Sequence, residues 1–505
     1  NITGYAEAIS EGGNVTITYA EALGENGELD FSHTGGGEQI QRDVFLNTRR
    51  GDVLIPRFTW HAFSCFAVEG AARVETALEI HADVAPRVRF RSDNETLNKL
   101  FDAYVQTQLS NMHGGVPSDC PHRERLGYTG DGQITAETAM LLLRADGFYR
   151  KWIRDIEDCQ DIKSGHVQHT APFYGGGGGP GGWGSAIVVV PYERYMAYGD
   201  LRELRHSFPY MKKWSESMES FADESGLIVR EYEGGWCLGE WCTPDSVRIP
   251  APFVNTYYYA KALQKTIEIG GFLGEDVGIF KKRLRRCLRA IESAYFSKET
   301  GSFCGGEQGA DAFGLDLGLG DKRTLENLAA KYEEKGAFDT GIFGTEILCR
   351  TLAENGRAQL LYKLLASEKF GSFGYMFARG ATTLWETWNG RASRSHPMFG
   401  GCVKQLVYTF AGITPPRPNE KGAWRGTWRI QPQFVKGLNE IECSIDTKKG
   451  ELRVRYEKRR GKIFCNVQVP AGLNAKWIYG KKARRLAAGE NAFFLYEKQA
   501  RRIEK

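Results

Sequence analysis

The apolar residues of this chain change their period twice, and the two changes divide it into three blocks. Up to about residue 90 they alternate in short runs, Asn14-Val15-Thr16-Ile17-Thr18-Tyr19 and Ala72-Arg73-Val74-Glu75-Thr76-Ala77-Leu78-Glu79-Ile80, parted by turns such as Gly24-Glu25-Asn26-Gly27 and Gly35-Gly36-Gly37. Alternation turns one face of a strand inward, so residues 1–90 are expected to form an antiparallel β-sandwich, or part of one. At Ser92 the period lengthens: Ser92-Asp93-Asn94-Glu95 has capping-box form, and Leu97, Leu100, Phe101, Tyr104 and Val105 follow on one helical face. Helical patterning then recurs at 133–158, 184–198, 200–221, 253–269, 275–295, 324–332, 344–355, 357–366 and 396–411, joined by long loops rich in glycine and aromatic residues. Thr414-Pro415-Pro416-Arg417-Pro418 ends it, and alternation returns in Glu451-Leu452-Arg453-Val454-Arg455-Tyr456 and Ile463-Phe464-Cys465-Asn466-Val467-Gln468-Val469. The expected domains are 1–90, 91–413 and 414–505, the middle one mainly α and the outer two β. No short sequence repeat is visible, which argues against a regular solenoid and leaves room for a barrel of helix pairs.

At 505 residues the chain exceeds one ordinary core. Its longest apolar runs, such as Ile187 to Val190 and Met140 to Leu143, fall far short of the roughly 20 residues of a membrane span, so no membrane partner is expected. The net charge of +4 arises from 66 basic against 62 acidic residues, with much of the excess in Lys448-Lys449, Lys458-Arg459-Arg460, Lys481-Lys482 and Arg501-Arg502. That pattern suits a solvated β-surface, and no nucleic-acid partner is expected. Eleven cysteines without paired CxxC spacing, among them Cys349 and Cys402 in apolar helical surroundings, favour a reducing compartment such as the cytoplasm. The first residue is Asn1, with no signal-like segment after it, and localisation and oligomeric state stay open.

The chemistry concentrates in two loops of the helical block. Ser118 to Asp131 carries Asp119, Glu124 and Asp131 with Arg123 and Arg125, in a stretch with neither helical nor strand period. The second loop, Thr382-Thr383-Leu384-Trp385-Glu386-Thr387-Trp388-Asn389-Gly390, flanks a glutamate with two tryptophans, surroundings that can raise a carboxyl pKa or hold water against a sugar ring. Separated carboxyl groups are what glycoside hydrolysis requires, one to protonate the leaving oxygen and one to activate water or attack the anomeric carbon. Trp183, Trp236 and Trp241 could wall a sugar. Taken alone, Glu124 between two arginines also reads as an ion-pair member. The glycines from Gly175 to Gly182 lack the ending of a phosphate loop and read as a flexible connection, and His113, His122, His166, His169 and His396 lack tight ligand spacing, so no metal and no cofactor are expected. No nucleophile elbow is present.

Asp119-Cys120-Pro121-His122-Arg123-Glu124-Arg125-Leu126-Gly127-Tyr128-Thr129-Gly130-Asp131-Gly132-Gln133 closely resembles the DCPxRDERLGWTGDxQ signature of the bacterial α-L-rhamnosidases of glycoside hydrolase family 78. Gly182-Trp183-Gly184, Gly239-Glu240-Trp241, Phe343-Gly344-Thr345, Gly374-Tyr375-Met376, Gly380 to Glu386, Ser395-His396 and Ala411-Gly412-Ile413 look like family blocks in family order. Upstream, Tyr19-Ala20-Glu21, Pro56 to His61 and Phe63 resemble the β-sandwich before the family's catalytic domain. The resemblance implies an (α/α)6 barrel flanked by an N-terminal β-sandwich and a C-terminal β-domain. It implies an inverting hydrolase releasing terminal α-L-rhamnose from glycosides or oligosaccharides. Glu124 then resembles the general acid and Glu386 the general base; Asp119 and Asp131 resemble sugar-holding carboxylates that raise the pKa of Glu124, with Asp119 an alternative proton donor. Arg123, Tyr128, Trp183, Trp241 and His396 match positions lining the rhamnose subsite.

The chain also departs from the pattern: the signature's Asp between Arg123 and Glu124 is missing, Tyr128 stands for tryptophan, and Ser185 and Glu240 stand for aspartates. These departures are expected to reshape the subsite, and they keep two alternatives open, the same fold acting on another deoxy- or uronic sugar and a silent carbohydrate-binding protein.

Overall fold

The computed structural model describes residues 1–34, 40–231, 237–419, 421–424 and 426–497. The glycines at 35–37, Trp236 and the basic pair Arg501-Arg502 lie outside the described residues.

The N-terminal alternation yields two main sheets and, among the described residues, a short ladder of Ala22–Leu23 with Leu29–Asp30. Ile2–Ser10 pairs with Val53–Leu54, His61–Phe63 and Ala72–Glu79 in one, and Gly13–Ala20 lies between Gln41–Thr48 and Cys65–Glu69 in the other. Inward residues from both sheets, Ala6 and Ala8 with Val15, Ile17 and Tyr19, form one apolar cluster with Leu54 and Phe63.

Twelve α-helices follow among the described residues: α1 Glu95–Ser110, α2 Thr129–Leu142, α3 Asp146–Asp158, α4 Ala186–Tyr198, α5 Leu201–Ser220, α6 Ala251–Leu273, α7 Gly278–Tyr295, α8 Ala310–Asp316, α9 Lys322–Lys335, α10 Ile342–Glu354, α11 Ala358–Leu365 and α12 Phe373–Phe377. The cap of α1 is Asn94 rather than Ser92, its side chain accepting the Leu97 N–H at 3.0 Å, while the Ser92 hydroxyl turns to Asn98. The single helix expected over 133–158 is two. Leu143 leaves α2 in an extended conformation, and the chain pairs Leu143 with Pro86 before α3 begins. The stretch expected to be helical at 396–411 is a 3-10 turn at Met398–Val403 and a π-turn at Leu406–Phe410.

The chain end forms a five-stranded antiparallel sheet ordered Val88–Ser92, Glu440–Thr447, Gly450–Arg459, Lys462–Val469 and Gly489–Tyr496, with a smaller sheet of Ile413–Thr414, Trp428–Ile430, Ala475–Tyr479 and Lys482–Leu486. Its edge strand, Val88–Ser92, comes from just before α1. The Asp93 carboxylate takes the Asn439 and Glu440 amides at 3.0 and 3.2 Å, so the start of the helical block is tied to the far sheet. The core is continuous across that junction, with Phe90, Leu97, Cys443 and Val454 in the same buried cluster as the helices. All eleven cysteines are free thiols, and Cys349 and Cys402 are fully buried. No described helix is long and apolar enough to cross a membrane.

Candidate active site

The charged segment between α1 and α2 closes on itself. The Asp119 amide donates to the Leu126 carbonyl at 3.0 Å, the Leu126 amide returns a 3.0 Å bond to the Asp119 carboxylate, and the Arg125 amide reaches the Cys120 carbonyl at 3.2 Å. Arg125 takes φ 55° to make the turn, an uncommon value for a residue with a side chain. That turn sends its guanidinium away from the carboxylates. It bonds the Pro121 and Trp60 carbonyls and lies 3.9 Å over the Trp60 ring, anchoring the loop to the N-terminal sheets. Only one of the two arginines expected to act on Glu124 faces it.

That one is Arg123. Its Nη2 donates to Glu386 Oε2 at 2.7 Å, and its Nε stands 3.2 Å from Glu124 Oε1, an ion contact without hydrogen-bond alignment. Burial opposes the charge of Arg123, but Cys120, Glu386 and Glu124 hold its pKa above the ordinary value. Glu124 is exposed, and its charge, after burial, is a cause of the raised pKa of the neighbouring Tyr128 hydroxyl. Glu386 is buried and also accepts the Ser393 amide at 3.0 Å, in a hairpin closed by Glu386 N–H to the Ser393 carbonyl and His396 N–H to the Leu384 carbonyl.

Three further groups gather here. Asp119 is buried, and burial first, then the charge of Glu124, raises its pKa to about 7; the Cys120 thiol donates to it at 3.0 Å. Asp131, in the first turn of α2, is raised well above the carboxylate range by burial and then by Asp119. His396 stands 3.6 Å from it, too far for a hydrogen bond, and is held well below its usual pKa by burial and Arg123. The site therefore offers two carboxylates sharing one guanidinium and two more whose pKa burial raises.

The aromatic walls differ from expectation. Trp385 and Trp388 are buried, Trp388 bonding the Thr340 carbonyl and stacking on Phe338, while Glu386 turns to Arg123 and the Ser393 amide. Trp183 is also buried, edge-on to Phe343, with its ring 2.6 Å from where a Cβ on Gly130 would stand. It packs against the first turn of α2 at Gly130. Trp241 is 40% exposed beside the site. Glu240 is consumed structurally, accepting the Trp241, Phe343 and Gly344 amides at 3.0, 3.0 and 2.6 Å at the N-terminus of α10. Ser185 is likewise buried, so neither departure presents a polar group to solvent. The glycine run is no slack connection: a Cβ on Gly179 would stand 1.9 Å from the Leu238 carbonyl oxygen, and Gly181 N–H binds Asn255.

Sequence reasoning missed several participants. Cys242, at φ 56°, has its thiol pKa raised by burial and then by Glu386 and Asp131, which places it among the carboxylates. Glu21, buried in the N-terminal domain, accepts the Arg394 amide at 2.9 Å and faces His122 at 3.5 Å, so that domain holds both loops. A lone cysteine carries no local signal, and Tyr19-Ala20-Glu21, though it resembles the family's β-sandwich, gives no sign that Glu21 reaches Arg394 and His122.

Residues 87–410 match the family described as bacterial alpha-L-rhamnosidase 6 hairpin glycosidase domain, and residues 412–493 match the bacterial alpha-L-rhamnosidase C-terminal domain. An alpha-L-rhamnosidase of Streptomyces avermitilis is 28% identical over 92% of this chain and 46% of its own length, and one of Alteromonas sp. is 26% identical over 93% and 54%. The chain thus spans about half the length of the curated relatives it matches. The alpha-L-rhamnosidase structure from Dictyoglumus thermophilum superposes with a TM-score of 0.88 at 25% identity, covering 98% of this chain and 61% of that one. The Streptomyces avermitilis enzyme complexed with L-rhamnose gives 0.86 at 24%, covering 98% and 51%, a likeness of fold. With a family match over more than half of its residues, the chain belongs to the bacterial α-L-rhamnosidase 6-hairpin glycosidase family.

Proposed function

We propose that this chain hydrolyses terminal α-L-rhamnosides with inversion, Glu124 acting as general acid and Glu386 as general base. The observation that carries the reading is Arg123, which ties carboxylates from two loops through one guanidinium, its partner Glu386 lying 263 residues away in sequence. The two contacts and the width of that guanidinium cap the separation of the nearest carboxylate oxygens at about 8 Å, which admits the roughly 6.5–9.5 Å of an inverting pair. Water on the Glu386 side loses a proton to that carboxylate as its oxygen bonds the anomeric carbon. The glycosidic C–O bond breaks as Glu124 protonates the departing oxygen, and both carboxyls then exchange protons with solvent. Asp119, Asp131, Tyr128, His396 and Trp241 are assigned to hold the sugar. L-Rhamnose is the sugar named with the Streptomyces avermitilis structure, and family membership extends it to this chain as the substrate class.

The architecture proposed with this reading keeps the expected (α/α)6 barrel of 91–413, β-sandwich of 1–90 and C-terminal β-domain of 414–505, with the strands Val88–Ser92 and Ile413–Thr414 reassigned to the C-terminal β-domain. The twelve helices and the flanking sheets support it.

A second assignment of the proton donor has a specific basis, since Asp119 carries a pKa near 7 beside Glu124. Hydrolysis of p-nitrophenyl α-L-rhamnopyranoside and of an alkyl α-L-rhamnoside separates the two. Loss of a general acid costs roughly 10²–10⁴-fold, less for the activated nitrophenolate, which needs little protonation. Glu124→Gln should show that leaving-group dependence and Asp119→Asn should not. Glu386→Gln should abolish turnover of both substrates, and NMR should detect the β-anomer first. An α-anomer formed first, or full activity in both Glu→Gln variants, would sink the proposal.

A further inference from the structure

His166, His169 and Glu231 meet at one point behind the site. Both imidazole Nε2 atoms stand 2.7 Å from the same oxygen, Glu231 Oε1, and the three ligand atoms lie within 4.8 Å of one another. Glu231 is fully buried. Its other oxygen, Oε2, is buried with no hydrogen-bond partner among the described residues, the kind of orphan that carries its full desolvation penalty until a partner is found. A simple histidine–glutamate–histidine ion triad would spread its two rings over both oxygens. Here both rings crowd one oxygen and, among the described residues, nothing meets the other. His169 Nδ1 lies 3.4 Å from the Gly176 carbonyl, which can only accept; a neutral ring donating there turns its Nε2 lone pair toward the carboxylate, an arrangement that a cation between them would satisfy.

We propose that His166, His169 and Glu231 bind one divalent transition-metal ion of the zinc class. Two imidazoles and a carboxylate are a ligand set of zinc sites, and a bidentate carboxylate would use the orphaned oxygen. Tetrahedral ligands on zinc stand about 3.3 Å apart, so the observed 2.7 Å contacts need to open by roughly half an ångström. The sequence alone carried no sign of this, because the HxxH pair acquires its third ligand 62 residues beyond His169.

The ion's place explains its use. The His169 carbonyl takes the Thr129 amide at 2.8 Å at the start of α2, Thr170 pairs with Tyr128, and a Cβ on Gly176 would come within 2.9 Å of the Tyr128 ring. A cation here ties the glycine-rich segment to the chain beyond α5 and braces the wall carrying Tyr128. It uses none of the carboxylates assigned to catalysis, so it stands apart from that assignment.

The test uses the full chain without a polyhistidine tag, stripped by chelator and returned to one equivalent of Zn2+ or Co2+. We expect one Zn2+ retained per chain through gel filtration, and a Tm rise of roughly 2–5 °C. We also expect a visible Co2+ d–d spectrum without a thiolate charge-transfer band, and loss of all three signals in Glu231→Gln and His169→Gln. Absence of retained zinc and of any Tm change in the unaltered protein overturns the proposal. So does a thiolate band, or zinc retained equally by His166→Gln/His169→Gln, either of which puts the ion elsewhere. Because the cobalt spectrum is read on the unaltered chain, a variant that fails to fold does not shield the idea.

Discussion

Replacing Asp119 with Asn should stabilise the protein, and by an amount that depends on pH in one direction only. Asp119 moves from an ordinary carboxyl pKa of 3.8 to about 7 on folding, burial being the larger cause and the charge of Glu124 the second. A raised folded-state pKa means that the folded chain holds a proton which the unfolded chain releases. Below about pH 4 both states are protonated and the group carries no penalty. Between about pH 4 and 7 each pH unit costs about 1.4 kcal/mol, and above that range the loss levels off at about 4 kcal/mol. Asn does not titrate, and its oxygen can still accept the Leu126 amide, so the variant forgoes the whole pH-dependent part. Its remaining cost is the Cys120 contact, about 1 kcal/mol at all pH values. Calorimetric Tm of both proteins from pH 4 to pH 8.5 should therefore diverge as pH rises, with the Asp119→Asn protein marginally lower in acid and several degrees higher in base. Glu124→Gln in the otherwise unaltered protein should lower the pH at which the loss levels off and make the loss smaller, because a like charge is gone. A constant offset across that range would refute the claim that Asp119 is buried and protonated near neutrality, and with it the case for Asp119 as an alternative acid.

Arg123→Lys keeps the charge but cannot span two carboxylates, since one ammonium replaces a planar fork; kcat/KM on the nitrophenyl rhamnoside should fall on the order of 10²-fold, mostly in kcat. Retention of wild-type kcat would mean the bridge is incidental. Glu21→Gln removes the charge that accepts the Arg394 amide and faces His122, and should cost about 1–3 kcal/mol, read as a lower Tm together with a lower kcat. An unchanged kcat would mean that the N-terminal domain does not position the Glu386 hairpin.

The order of the three blocks was legible because period is a local property. Runs such as Gly13–Ala20 and Lys462–Val469 alternate where the strands do, and the capping asparagine of α1 lies two residues from the site the pattern suggested. What escaped was set by partners distant in sequence. The break after Leu142 carries no proline or glycine; it arises because Leu143 pairs with Pro86 and Arg144 N–H reaches the Ala85 carbonyl. Likewise Val88–Ser92 alternates as a strand should, yet nothing in it announces that its neighbour is Glu440–Thr447.

The site divides along the same line. Asp119, Arg123, Glu124, Asp131 and Glu386 were found because ionisable groups in an aperiodic loop stand out, whereas direction of pointing did not. Trp183 reads as a sugar wall and is buried, Trp385 and Trp388 read as surroundings of Glu386 and are core, and Glu240, read as a departure that reshapes the subsite, caps α10. A tryptophan or a glutamate is compatible with either environment, and the choice falls to whichever buried amide or apolar gap lies nearest in space. The charged loop closes through Asp119 and Leu126 with Arg125 at a left-handed φ. Arg125 is thereby turned out to Trp60, and Arg123 is left as the guanidinium that serves Glu124 and Glu386 together. One cation, not two, offsets the carboxylates, and burial leaves the remaining demand for neutrality to be met by protons on Asp119 and Asp131.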